Sequence, residues 1–144
     1  FIDTPGHEAF SKMRARWASA ADMAVLVVAA EEGVKPQTKE VIKTLEETKT
    51  PFVVAINKID KPGVDIEKTK NDLMAAGVYL EGYGGQVSYE PISAKTGENV
   101  DKLLDLILLA ADMAELGADA SKPGTGYVLE TRLNKNRGLE VSII

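Results

Sequence analysis

The chain has 144 residues and a formal net charge of −5, with 27% charged and 44% hydrophobic residues. This balance predicts a soluble globular protein with one core and room for the start of a second domain. The acidic net charge gives no support for nucleic-acid binding by this portion alone. The absence of cysteine excludes disulfides and thiolate metal sites. No signal peptide and no membrane-spanning apolar run is present, so we expect a cytoplasmic protein.

The first predicted feature is a carboxylate that follows a short apolar pair. Phe1 and Ile2 are predicted to end a strand, which would place Asp3 at the carboxyl edge of a sheet, where ligands bind in open α/β folds. A carboxylate there can hold Mg²⁺, usually through water. Gly6 lacks a Cβ, so its N–H can approach a terminal phosphate closely. Taken alone, His7 is predicted to be a loop residue that holds the turn after Gly6.

The next part of the chain alternates predicted strands with predicted helices. Residues 23–30 and 52–56 are continuously apolar, which is typical of strands covered on both faces. Pro36 suits the first turn of a helix, and Asp65 can cap another helix that Gly77 ends. The buried side of the first helix is predicted to contain Val41, Ile42 and Leu45.

A polar motif follows the second apolar run. Guanine presents its N1 hydrogen and 2-amino group side by side, and the two oxygens of the Asp60 carboxylate can accept from both. Adenine lacks both donors and would leave Asp60 desolvated and unpaired, which is a strong basis for rejection. Asn57 can contact the base and brace neighbouring loops, while the aliphatic stem of Lys58 can lie along the ring. The alternative is a solvated turn, which Pro62 and Gly63 favour.

A third strand is predicted over residues 87–92, and it leads into another turn. Pro91 cannot donate to a strand partner, so this strand is predicted to lie near an edge of the sheet. Ser93, Ala94 and Lys95 follow it. The Ala94 N–H could reach the guanine O6 atom, and Lys95 could pack against the base.

The organisation of the chain changes after one more helix. Residues 99–116 are predicted to be helical, residues 117–126 to be a linker, and residues 127–133 and 139–144 to be the strands of a hairpin. Two strands alone are marginally stable. The core side of the helix is predicted to hold Val100, Leu103, Leu104, Ile107 and Ala111.

These motifs together resemble those of the translational GTPases. Residues 3–16 are similar to the switch II region of that family, and most of all to the bacterial translation initiation factor two family. Residues 57–60 resemble its guanine-specificity motif, and residues 93–95 its third base-contacting motif. The resemblance covers essentially the whole chain, and the motifs occur in the right order and spacing.

The resemblance implies an α/β fold of the P-loop NTPase type, a Ras-like G domain with a parallel sheet and flanking helices. Residues 1–116 would be the C-terminal part of this GTP-binding domain, truncated at its N-terminus. Residues 117–126 would be the linker, and residues 127–144 the first hairpin of a β-barrel second domain.

The resemblance also implies cofactors, partners and residue roles. The full-length protein would bind GTP and GDP with Mg²⁺, act as a monomer with ribosomal subunits and initiator tRNA, and hydrolyse GTP. Asp3 would help to bind the metal ion, Gly6 would approach the terminal phosphate, and His7 would orient the water that attacks this phosphate. Asn57, Lys58, Asp60, Ser93, Ala94 and Lys95 would contact the guanine nucleotide.

Two departures from the family pattern limit this expectation. The 144 residues contain no Gly-x-x-x-x-Gly-Lys followed by Ser or Thr, the loop that cradles phosphates. Trp17 stands where a small residue is expected. We therefore expect the isolated residues to be a fragment that neither hydrolyses GTP nor binds it tightly. Another translational or ribosome-assembly GTPase, or a non-catalytic guanine-nucleotide-binding module, remains an open alternative.

Overall fold

The structure is a computed structural model that describes residues 1–4, 17–117 and 121–144. Gly6 and His7 lie outside the described residues. Strands and helices alternate through the larger part of the chain, and a pair of strands follows. The elements are β1 (Ala24–Ala29), α1 (Pro36–Thr48), β2 (Phe52–Asn57), α2 (Ile66–Ala75), β3 (Tyr89–Pro91), α3 (Val100–Met113), β4 (Val128–Asn134) and β5 (Gly138–Ile143).

The first three strands form one parallel sheet in the order β1-β2-β3. Ala24 pairs with Phe52, and Val54 pairs with Tyr89. All three strands point the same way, so the loops that follow them meet at one edge of the sheet. The predicted α/β fold with a parallel sheet and flanking helices is confirmed, and Pro91 lies in a strand at the edge of this sheet.

The core explains why the strand sequences are continuously apolar. On one face of the sheet, Val54 and Ile56 pack in a cluster with Leu73 of α2. On the other face, Val53 and Ala55 pack with Leu103 of α3. Because helices cover β2 on both faces, every residue from 53 to 56 is buried.

The predicted helix starts are confirmed. Pro36 occupies the first turn of α1, where its missing N–H costs no hydrogen bond. The Asp65 carboxylate caps α2 by accepting a hydrogen bond from the Lys68 N–H at 2.9 Å. Ile42 and Leu45 are buried on α1, as predicted.

The predicted core side of α3 is partly wrong. Leu103 is buried and Ile107 packs beside it, but Leu104 is 44% exposed. Leu106 and Ala110 take the positions expected of Leu104 and Ala111. The cause is that α3 is apolar around most of its circumference, so more than one stripe satisfies helical spacing. The contact with the sheet selects one of them.

The predicted hairpin is present as an antiparallel pair. Leu133 pairs with Leu139, and Asn134 pairs with Gly138 next to the turn. Tyr127 and Ile144 exchange backbone hydrogen bonds of 2.8 and 3.0 Å at the open end. Most hairpin residues are exposed, and the assignment of the hairpin to a second domain stays a prediction.

Among the described residues, no helix has the length and apolar character needed to cross a membrane.

Candidate nucleotide-binding site

The candidate site lies at the edge of the sheet where β1, β2 and β3 end. The loops that leave these strands occupy residues 30–35, 58–65 and 92–99. They follow the order of the strands, so the loop after β2 lies between the other two. Polar side chains in these loops can therefore converge although they are far apart in the chain.

Asn57 joins the three loops. Its side-chain Oδ1 atom accepts hydrogen bonds from the Lys58 N–H at 2.7 Å and from the Ala94 N–H at 3.0 Å. Its backbone oxygen accepts from the Ala30 N–H at 2.8 Å. Asn57 thus fixes the loop after β2 relative to both neighbours, which is the bracing that the sequence predicts.

Asp60 meets the loop after β3. The Ser93 hydroxyl donates to Asp60 Oδ1 at 2.7 Å and accepts from the Thr96 N–H at 3.2 Å. Ser93 is fully buried, whereas Asp60 is exposed. No hydrogen bond joins the other oxygen, Oδ2, to any residue that the structure describes. One side of the carboxylate is therefore braced and the other side is open to a ligand.

The turn after β3 is closed by its own hydrogen bonds. The Gly97 N–H donates to the backbone oxygen of Ser93 at 2.9 Å. Gly97 has a φ of 84°, a conformation that favours glycine. The Asn99 side chain donates to the Pro91 oxygen at 2.9 Å. Ala94 and Lys95 are exposed on this turn.

The Ala94 N–H is engaged with Asn57 in this structure. A contact of this N–H with a guanine O6 atom therefore stays a prediction. It requires that Ala94 share its hydrogen with the base or exchange partners when the base binds.

Lys58 points toward the first loop. Its backbone is left-handed, with a φ of 69°, and its Nζ atom lies 2.6 Å from Glu31 Oε1. The hydrogen bond that Lys58 donates to Glu31 raises the pKa of Lys58, and the hydrogen bonds that Glu31 accepts from Lys58 and Lys61 lower the pKa of Glu31. Glu31 is a site residue that was not predicted from the sequence. A signal was available, since this carboxylate lies two residues beyond the end of β1, at the same edge of the sheet.

The structure does not bring Asp3 to this site. Residues 1–4 form no strand, so the prediction that Phe1 and Ile2 end one is wrong for this structure. Ile2 and Thr4 line a cavity of about 430 Å³ together with residues 22–25, where β1 begins. A two-residue apolar segment needs a neighbouring strand to pair with, and no described strand is paired with it.

Among the described residues, no group of three His, Cys, Asp or Glu side chains could hold a metal ion. A single carboxylate is nevertheless compatible with Mg²⁺, which keeps several waters and often takes phosphate oxygens as ligands. The role of Asp3 stays a prediction.

Trp17 also lines the cavity beside residues 1–4. Its indole Nε1 is buried and has no hydrogen-bond partner among the described residues. The structure gives no role for this side chain.

A parallel sheet with flanking helices and with polar loops that converge at its carboxyl edge is the α/β architecture of a G domain. A family profile described as the elongation factor Tu GTP binding domain matches residues 1–112. The chain therefore belongs to the translational GTPase family.

Solved structures of the same family resemble the chain throughout. GDP-bound aIF5B from Aeropyrum pernix is 33% identical over 99% of this chain, with a TM-score of 0.76. The elongation factor SelB from Methanococcus maripaludis is 33% identical over 84% of the chain in its complex with GppNHp, with a TM-score of 0.68. Its apo form is 30% identical over 99%, with a TM-score of 0.72. The chain spans only 30%, 27% and 31% of these proteins.

Proposed function

We propose that this chain reads the guanine base of GTP and GDP in a translational GTPase. The observation that carries the proposal is the pair of hydrogen bonds that join residues 57–60 to residues 93–95. Asn57 Oδ1 accepts from Ala94, and Asp60 Oδ1 accepts from Ser93. Two turns that the sequence separates by more than thirty residues thus form one surface, and Asp60 Oδ2 has no hydrogen bond to any residue that the structure describes.

The open carboxylate suits guanine for a chemical reason. Asp60 can accept from the N1 hydrogen and the 2-amino group of guanine. Adenine offers neither, so it would leave the carboxylate desolvated without a partner. Sites of this kind reject the analogue that lacks the hydrogen-bonding group by roughly 10⁴-fold.

We propose that residues 3–7 bind the phosphates and the metal ion and assist hydrolysis. In the whole protein, Gly6 would approach the terminal phosphate and His7 would orient the water that attacks this phosphate. Asp3 would contribute to Mg²⁺ binding. Positioning and charge stabilisation account for most of the catalysis of phosphoryl transfer, so one orienting side chain can have a large effect. Bound Mg²⁺ would neutralise charge on the phosphates.

Within the family, we propose a role in initiation. The resemblance of residues 3–16 to initiation factor two favours it, and the aIF5B structure matches nearly the whole chain. The protein would act in the cytoplasm as a monomer with ribosomal subunits and initiator tRNA. The SelB matches favour a second candidate, an elongation-type factor with the same nucleotide site.

Nucleotide titration of the natural protein that contains this chain tests the first proposal. We expect GDP and GTP to bind with dissociation constants roughly 10⁴ times smaller than that of ADP, because adenine lacks both hydrogens that Asp60 would accept. Equal binding of GDP and ADP would contradict it. A parallel binding assay with initiator tRNA and elongator tRNAs separates the two candidate roles, since only an initiation factor should prefer the initiator.

A further inference from the structure

Glu31 is the main counter-ion of the loop after β2. Its Oε1 atom lies 2.6 Å from Lys58 Nζ, and its Oε2 atom lies 2.5 Å from Lys61 Nζ. The neighbouring Glu32 is 3.6 Å from Lys58 Nζ and pairs more closely with Lys35, at 2.5 Å. One carboxylate therefore binds both lysines of this loop.

The direction of the Lys58 side chain follows from the order of the strands. Asn57 and Asp60 make their cross-loop side-chain bonds toward β3, through Ala94 and Ser93. Lys58 makes its bond in the other direction, toward Glu31 after β1. Its backbone is held at one end by Asn57 Oδ1 and its ammonium is held at the other end by Glu31. The aliphatic stem is thus stretched across the edge of the sheet beside the base-reading residues.

We propose that Glu31 is a positioning residue for guanine-nucleotide binding: by anchoring the Lys58 ammonium, it holds the stem of Lys58 in place as a wall of the base pocket. This inference rests on the proposed function of residues 57–60 and 93–95. Glu31 itself contacts Lys58 and Lys61 rather than the nucleotide.

Two physical effects support this role. A free lysine side chain has large rotamer freedom, and a side chain ordered before binding does not lose that entropy when the base arrives. Glu31 also keeps two ammonium groups together. Without its charge, Lys58 and Lys61 would lose the counter-ion closest to both, and Lys58 would retain only the more distant Glu32, at 3.6 Å. The hydrogen bond with Lys58 is the first cause of the lowered pKa of Glu31, as expected for a carboxylate paired with two ammonium groups.

The test measures release of a fluorescent GDP derivative from the natural protein that contains this chain. E31Q should raise the dissociation rate constant about two- to fivefold, as expected for a half-exposed ion pair. The effect should shrink at 1 M salt, which screens exposed charges. E47Q is the matched control, because Glu47 forms an exposed ion pair with Lys43 along α1, at 3.7 Å. It should leave the rate unchanged.

A double variant separates positioning from a general loss of charge. In a K58M background, E31Q should cause no further increase in the rate of release. An unchanged rate in E31Q, or the same increase with and without Lys58, would overturn the inference. Failure of the proposed function is distinguishable, because the unsubstituted protein would then bind GDP no better than ADP.

Discussion

The parallel sheet and the β4–β5 hairpin are both regular in backbone, yet they differ in what covers them. Ile56 in β2 is fully buried between helices, whereas Leu133 in β4 is 79% exposed. Backbone pairing therefore shows where strands form, and burial shows which strands are stabilised by packing against the rest of the protein. The loops of the candidate site leave the buried sheet, so their starting points are fixed by the core. The hairpin provides no such support.

The substitution with the largest expected effect tests whether the carboxyl edge of the parallel sheet is a binding site. D60N should weaken GDP binding roughly 100-fold or more, because the new amide cannot accept both guanine hydrogens. It should improve binding of xanthine nucleotides, whose 2-oxo group can accept from that amide. Calorimetric titration of GDP and of the xanthine analogue into the natural protein measures both changes. D105N, on the exposed side of α3, is the control and should leave GDP affinity unchanged. Unchanged GDP affinity in D60N would show that Asp60 does not contact the base.

The next prediction compares a leucine in each region directly. L73A removes a fully buried side chain between α2 and the sheet and should lower the free energy of unfolding by about 2–5 kcal/mol. L133A removes an exposed side chain from β4 and should change it by less than about 0.5 kcal/mol. Hydrogen exchange of the β2 amides in the natural protein reports this free energy. Equal losses in the two variants would remove the distinction between the regions.

A smaller effect is expected where the core and the site meet. S93A removes the hydroxyl that bonds Asp60 and the Thr96 N–H. Losing two part-buried hydrogen bonds, each worth about 0.5–1.5 kcal/mol, should lower the free energy of unfolding by about 1–3 kcal/mol. GDP affinity should fall as well, because Asp60 loses its brace. S88A is a matched control, since Ser88 bonds Glu81 on an exposed loop at 2.9 Å. If S93A lost stability but kept full GDP affinity, the brace would serve the fold alone.

The smallest expected effect concerns Lys70, which is buried under the loop before β3. Its Nζ atom lies 5.1 and 4.9 Å from the ring centroids of Tyr83 and Tyr89, and it donates to Glu67 at 2.6 Å. Burial by itself lowers the pKa of Lys70, but hydrogen bonds to Glu67, Tyr89 and Tyr83 outweigh it and raise the pKa above its ordinary value of 10.5.

A raised lysine pKa stabilises the fold at every pH below the ordinary value. This stabilisation is lost as the pH rises from 10.5 through the raised pKa of the folded state. The difference in Tm between the natural protein and K70M should therefore decrease above that pH. K68M, at an exposed position of the same helix, should show no such trend. A constant difference for K70M would mean that Lys70 acts through packing alone.

Local signals in the sequence were sufficient for most of the sheet and for part of the site. Continuous apolar runs located β1 and β2, because strands covered on both faces need no polar residues. Pro36 marked one helix start through its missing N–H, and Asp65 marked another through its capping side chain. The position of Asn57 and Asp60 at the carboxyl end of a buried strand followed from the same pattern. These signals act over a few residues, so the chain displays them before it folds.

Contacts between distant loops were decided only by the tertiary structure. The bond from Ser93 to Asp60 and the pair between Glu31 and Lys58 depend on the order of strands in the sheet, which no local pattern contains. The stripe of α3 that faces the core was ambiguous for the same reason, because Leu104 and Leu106 are equally apolar. Spatial neighbours far apart in the chain are set by packing, and packing chose among alternatives that the local chemistry leaves equal.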